Sequence, residues 1–190
     1  ISSFTHHPFY SQFVLEVPDN WMWHSMYNVP MGEMMEIVDA CIEAGHPVAW
    51  GTDVSEKGFS RQKAIAVIPE VVEKNTIGSD AEHWGKLSDA EKQAMINNLE
   101  GPMKEKTITQ EMRQEAYDNY QTTDDHGMVI VGTAVDQAGN PFYKVQNSWG
   151  DNGPYKGFYY FSRPFVEYKT MDIMVNKNLI PKDIKKKMGL

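Results

Sequence analysis

Six histidines and one cysteine are the residues in this 190-residue chain best suited to acid–base, metal or nucleophilic chemistry. His6 and His7 are neighbours, and neighbours on a strand point to opposite faces, so they do not make a two-ligand metal site. No His-x-x-x-His spacing occurs. His24, His46 and His83 lack matching partners in sequence and read as packed or surface side chains. His126 differs: it follows Asp124 and Asp125 and opens an apolar run that ends near Val135. A second run, Pro141–Ser148, leads into Asn147-Ser148-Trp149-Gly150, with the turn signal Gln137-Ala138-Gly139-Asn140 between the two. An antiparallel hairpin brings the start of one strand beside the end of the next, which makes His126 and Asn147 spatial neighbours. An imidazole whose tautomer and orientation are fixed by an amide oxygen is a sensible general base. Trp149 would cover that bond and keep water from it. A purely structural His–Asn contact has the same spacing. Cys41 sits on the apolar stripe of a helix between acidic neighbours, whereas a reactive thiolate wants a helix N-terminus or a cation. It reads as a buried structural cysteine.

The elements that must position these residues can be read in order. Residues 1–30 are aromatic and lack a helical period. We expect short extended pieces with a turn at Pro18-Asp19-Asn20, lying as an arm across the domain or against another one. Pro30 and the stripe Met31, Met34, Met35, Val38, Cys41, Ile42 predict a helix that Gly45 stops. Val48–Thr52 reads as a buried strand. Ser88-Asp89-Ala90-Glu91 matches a capping box and predicts a helix over about 88–100, closed by Gly101-Pro102. Thr107 or Thr109 starts a second helix that runs to about Tyr120. After the hairpin, Lys156–Ser162 and Met171–Val175 read as strands. Antiparallel strands in succession after helices predict an α+β fold.

Composition removes several classes. Hydrophobic residues make up 41% and charged residues 23%, enough for a core and against wholesale disorder. Eighteen Lys and Arg against 26 Asp and Glu give a net charge of -8, the wrong sign for a phosphate-backbone binder. A single cysteine excludes an internal disulfide or a multi-cysteine metal site. No apolar run approaches the roughly 20 residues that span a bilayer. Neither a nucleic acid nor a membrane is expected as a partner, and no metal, nucleotide or tetrapyrrole cofactor site is visible. The chain starts at Ile1, from which we expect a trimmed N-terminus or a piece of a longer polypeptide.

Asp125-His126-Gly127-Met128, then Val145-Gln146-Asn147-Ser148-Trp149-Gly150, then Gly157-Phe158-Tyr159 resemble the C-terminal half of a papain-like cysteine peptidase. The segment His46-Pro47-Val48-Ala49-Trp50-Gly51-Thr52-Asp53-Val54, the helical stretch before His126 and the tail Ile180-Pro181-Lys182-Asp183 are similar to the bleomycin hydrolase and aminopeptidase C branch. The resemblance implies the antiparallel β-barrel half of the papain-like fold with helices, carrying a helical insertion at about 75–122. It implies a cysteine aminopeptidase in which His126 and Asn147 complete a Cys–His–Asn set and Trp149 shields them. It also implies a peptide substrate, Gly51 as a lining residue of the cleft, a homo-oligomer (a hexamer in that branch), and a cytoplasmic setting. Asp125 tunes the charge of the cleft or is a solvated loop residue. Leu190 either brings its terminal carboxylate to the substrate's amino group or ends a surface helix. The family's Cys-Gly-x-Cys-Trp segment and oxyanion-hole Gln do not occur in this sequence, and Gln146 is not in position to replace that Gln. The nucleophile is therefore expected from a missing N-terminal half, and this chain alone is expected to be inactive. Two further readings stand beside this one: a non-catalytic fragment or binding module that retains only the barrel half, and, with little support from spacing, a metal-dependent hydrolase.

Overall fold

A computed structural model describes residues 1–70 and 88–190. The N-terminal arm forms a two-stranded antiparallel ribbon, β1 (Gln12–Val14) with β2 (Ser25–Tyr27). Its connection turns at Pro18-Asp19-Asn20, where the Asn20 side chain donates to the carbonyls of Leu15 and His24. Buried Asn28 ties the arm down, with Nδ2 donating to Phe4 O at 2.7 Å and Oδ1 accepting from Phe4 N at 2.9 Å.

Helix α1 (Met31–Glu43) buries Met34, Met35, Ile37, Val38 and Cys41. It ends where the sequence indicates. Gly45 at φ +76° lets His46 N reach Cys41 O and Gly45 N reach Ile42 O, both at 2.9 Å. This paired closure satisfies carbonyls that a helix end would otherwise orphan.

The core sheet has seven strands in the order β4-β5-β8-β7-β6-β3-β9. These are β3 (Val48–Thr52), β4 (Phe59–Ser60), β5 (Ile65–Ala66), β6 (His126–Val135), β7 (Pro141–Gln146), β8 (Phe158–Ser162) and β9 (Thr170–Met174). All neighbours are antiparallel except β5 and β8. α1 packs its apolar stripe on the inner face, against Val48, Trp50, Ile130, Tyr143, Val145 and Phe161. Each inner residue alternates with an outward one, as a half-covered sheet requires. The β6–β7 hairpin closes at Asp136, whose Oδ1 accepts from Ala138 N and Asn140 N at 2.8 Å each.

Helix α2 (Asp89–Asn97) starts at the capping box read from the sequence, with the Ser88 and Glu91 side chains bonded reciprocally to backbone N–H groups. It stops at Asn97, short of Gly101-Pro102, just past Ile96, its one buried residue. Beyond that point no apolar face remains to hold a further turn. Helix α3 (Gln110–Asp118) is capped by Thr109, which decides between the two threonines. The first part of the helical segment expected from about 75 lies outside the described residues.

Four elements depart from the sequence reading. β8 begins at Phe158 because Lys156 and Gly157 both have positive φ and belong to a turn. β4 and β5 have two residues each, too few for a period to show. Helix α4 (Arg163–Lys169) follows β8 with no loop, since Ser162 ends the strand and also caps the helix by accepting from Phe165 N at 3.2 Å. A short 3-10 turn (Lys177–Leu179) and α5 (Lys182–Lys187) complete the chain.

Candidate active site

β6 pairs with β3 so that Thr52 faces His126 and Gly51 faces Gly127. His126 continues the inward row of Met128 and Ile130, so its ring emerges at the end of the inner face. β7 ends one residue before Asn147, which is buried. The hairpin thus brings His126 Nε2 to 2.9 Å from Asn147 Oδ1. A carboxamide oxygen only accepts, so Nε2 carries the proton and Nδ1 is the nitrogen able to take or give one. Asn147 Nδ2 has no hydrogen-bond partner among the described residues.

The indole of Trp149 lies over the pair, 4.7 Å from the His126 ring centroid. Phe59 and Tyr159 flank it edge-on, each with its centroid 6.1 Å away, and the Arg61 guanidinium sits 4.2 Å from its centroid. The loop from Trp149 back to β8 depends on Gly157. A Cβ there would meet Gly150 O at 2.4 Å, and φ is +82°. Asn147 N donates to Gly157 O at 3.0 Å, so this loop also fixes the backbone under the amide.

A groove runs along the outer face of the sheet, lined by Ala49, Gly51, Gly127, Asp172 and Met174 among others, and it reaches the pair at Asn147. Gly51 and Gly127 keep it open. A Cβ on Gly51 would lie 3.0 Å from Asp172 Oδ2 and 3.5 Å from Asp124 Oδ1. Burial, then Asp172, Asp19 and Asp125, push the Asp124 carboxyl up to about 7. Burial also raises the Asp172 carboxyl. Asp125 accepts from Val54 N at 2.9 Å. Partial desolvation and Asp53 raise its pKa, while the Val54 bond and His126 oppose the rise.

The structure brings His126, Asn147 and Trp149 together, with Asp125 and Gly51 beside them. Leu190 lies elsewhere, in a depression with Ile1, Tyr27, Met188 and Met174, and only Met174 borders both that depression and the groove. Cys41 is fully buried under the sheet, and desolvation raises its thiol pKa. His83 lies outside the described residues. Arg61 and Asp172 have no local motif in the sequence: the β3–β9 register puts Asp172 opposite Gly51, and the turn between β4 and β5 carries Arg61 to Trp149.

A sequence model of the Peptidase C1-like family matches residues 89–189. The chain belongs to the Peptidase C1-like family. It is 27% identical to an aminopeptidase C of Streptococcus thermophilus over 154 residues, which is 80% of this chain and 28% of that protein. It is 28% identical over 74 residues to an aminopeptidase C of Lactobacillus helveticus, covering 39% of this chain and 16% of the relative. The crystal structure of PepW from Lactobacillus rhamnosis HN001 matches at a TM-score of 0.63 and 17% identity, over 98% of this chain and 36% of that one. That last likeness is one of fold, and it identifies the sheet and helices as papain-like. Together these relatives bear out the resemblance to the aminopeptidase C branch. The chain spans less than a third of the length of the aminopeptidase C relatives.

Proposed function

We propose that this chain supplies the acid–base half of a cysteine aminopeptidase, with His126 as the proton carrier and Asn147 as its orienting partner. The observation that carries this is the 2.9 Å contact from His126 Nε2 to Asn147 Oδ1 under the Trp149 ring. It leaves Nδ1 directed to proton transfer. The nucleophile is a cysteine outside this sequence, since Cys41 is buried against the apolar core.

In the reaction, the external Cys thiolate adds to the peptide carbonyl, and protonated His126 gives its Nδ1 proton to the leaving amine as the C–N bond breaks. Neutral His126 then takes a proton from water as its oxygen adds to the thioester, and collapse of the adduct releases the carboxylic acid and restores the thiolate beside protonated His126. The groove at Gly51 accommodates the substrate's N-terminal part. The resemblance further suggests a peptide substrate, a companion segment bearing the cysteine and a hexameric assembly with contacts through 75–120. Exposed Trp21, Met22 and Trp23 at the connection between β1 and β2 suit a surface that a companion segment covers.

The test is denaturing intact-mass analysis of the protein from its native source, followed by an aminoacyl-amide assay. The expected result is a larger or second polypeptide with activity that thiol alkylation abolishes, while the 190-residue chain alone turns over nothing. His126→Ala in the active assembly should lose about 10²–10⁴-fold in kcat. Activity lost to a chelator but not to alkylation would overturn the reading. A single 190-residue species without activity would leave the alternative, a binding module built on the barrel half.

By resemblance, a carboxylate at Leu190 is proposed to restrict cleavage to N-terminal residues, which requires the tail to leave its depression and reach the groove. Extending the active enzyme past Leu190 should convert single-residue release to internal cleavage. Unchanged release sinks that part.

A further inference from the structure

Beneath the His126 strand lies a charged cluster that the chemistry above does not use. Lys169 and Asp53 are each 1% exposed. Lys169 Nζ donates to Gln121 O at 2.7 Å and to Thr122 Oγ1 at 3.1 Å. It lies 3.1 Å from Glu56 Oε2 and 3.8 Å from Asp53 Oδ2. Asp53 Oδ2 accepts from Thr123 N at 2.9 Å, and Asp53 Oδ1 accepts from Ser55 N and Ser55 Oγ at 2.7 Å each. The Lys169 carbonyl accepts from Thr52 Oγ1 at 2.9 Å and from Asp53 N at 3.2 Å.

These bonds converge on one segment. Gln121, Thr122 and Thr123 are held by the Lys169–Asp53 pair, and Asp125 by Val54 N, the residue after Asp53. The next residue is His126. Its strand partner is Thr52, which the same Lys169 carbonyl holds.

We propose that Lys169 and Asp53 form a buried clamp on the 121–125 turn and act as positioning residues for His126. Burying an ammonium and a carboxylate is an expensive way to fill space, and an apolar pair of similar size packs as well or better. What the ion pair adds is direction: Lys169 Nζ fixes Gln121 O and Thr122 Oγ1, and Asp53 Oδ2 fixes Thr123 N. An imidazole that must present Nε2–H to Asn147 and Nδ1 to a reacting atom tolerates only a fraction of an ångström of drift. The clamp restricts that drift at the N-terminal end of the strand, where the 121–125 turn feeds into it and β3 alone pairs with it. The inference rests on reading His126 as the proton carrier.

The test uses this chain itself, with ¹⁵N-labelled histidine, and reads the His126 ring nitrogens and the exchange rate of its Nε2 proton by NMR. The parent should show one Nε2–H tautomer with slow exchange. Lys169→Met and Asp53→Ala should mix the tautomers and speed exchange by about tenfold or more through local opening. Tyr143→Phe removes a buried hydroxyl that bonds Asp39, at a point on β7 facing Thr133, and should leave the ring signature unchanged. A folded Lys169→Met chain with the parental signature overturns the clamp. Should Lys169→Met not fold, the near-isosteric Thr122→Val removes one Nζ acceptor and decides: faster exchange supports the clamp, and parental exchange overturns it. The readout involves no nucleophile, so its failure is distinct from failure of the peptidase reading, which the alkylation-sensitive assay tests.

Discussion

His126 and Asn147 were legible as neighbours because both signals are local: alternation fixes which face each strand presents, and Asp136 to Asn140 fix the hairpin's closure. The role of the amide can be tested separately from its presence. Asn147→Ala in the active assembly should lower kcat on the order of tenfold or more, because the ring loses its fixed orientation. Asn147→Asp should recover part of that loss, because a carboxylate also accepts from Nε2. Equal activity in parent and Asn147→Ala would reduce the contact to packing. Lys169 was not legible. Its partners lie 47 and more positions away in sequence, and a lysine near the end of a short amphipathic segment ordinarily reads as solvated.

At the scale of elements, long patterned pieces declared themselves and short or shared ones did not. α1 and the β6–β7 hairpin carry a full period, whereas β4 and β5 offer two residues each and α4 borrows its cap from the strand before it. Capping chemistry was the better guide where the period was weak, as at Ser88 and Thr109. Thr109→Ala should destabilise the chain by about 1 kcal/mol, read from a urea midpoint at unchanged slope. A second element-level effect depends on pH. Glu105 Oε2 accepts from Ile68 N and Ser162 Oγ at 2.6 Å each, joining the segment after β5 to the cap of α4. Burial pushes its carboxyl up to about 7, the two bonds resisting and Asp136 and Glu167 adding to the rise. The folded chain therefore binds this proton more tightly than the unfolded chain does. The stability it contributes is full below the ordinary carboxyl range and is lost as pH rises through about 7. Glu105→Gln keeps an accepting oxygen without the charge. It should match the parent near pH 4 and be more stable near pH 8 by on the order of 2 kcal/mol. An equal pH slope in both proteins would contradict this account.

The whole molecule is held together by a residue far from the site. Arg113 is buried on α3, where Nε donates to Ser3 O at 2.8 Å and Nη1 to Glu167 O at 3.1 Å, with the guanidinium 4.6 Å from the Phe4 ring centroid. One side chain thus joins the N-terminal arm, α3 and α4. Arg113→Ala removes the donor to Glu167 O and the shorter of two donors to Ser3 O, empties a buried volume, and should cost about 3 kcal/mol or more. Limited proteolysis should then cut within residues 4–13 before the sheet is attacked; cleavage spread evenly along the chain would argue against the arm as the weak point. α+β organisation followed from local pattern, but this fastening did not, since it requires knowing which elements meet. Burial of Cys41 matters at the same scale. In the native state the chain exposes no thiol, so inhibition by a strictly thiol-specific reagent would have to act outside these 190 residues. Cys41 then serves as a built-in clock for global opening, labelled only as fast as the core comes apart.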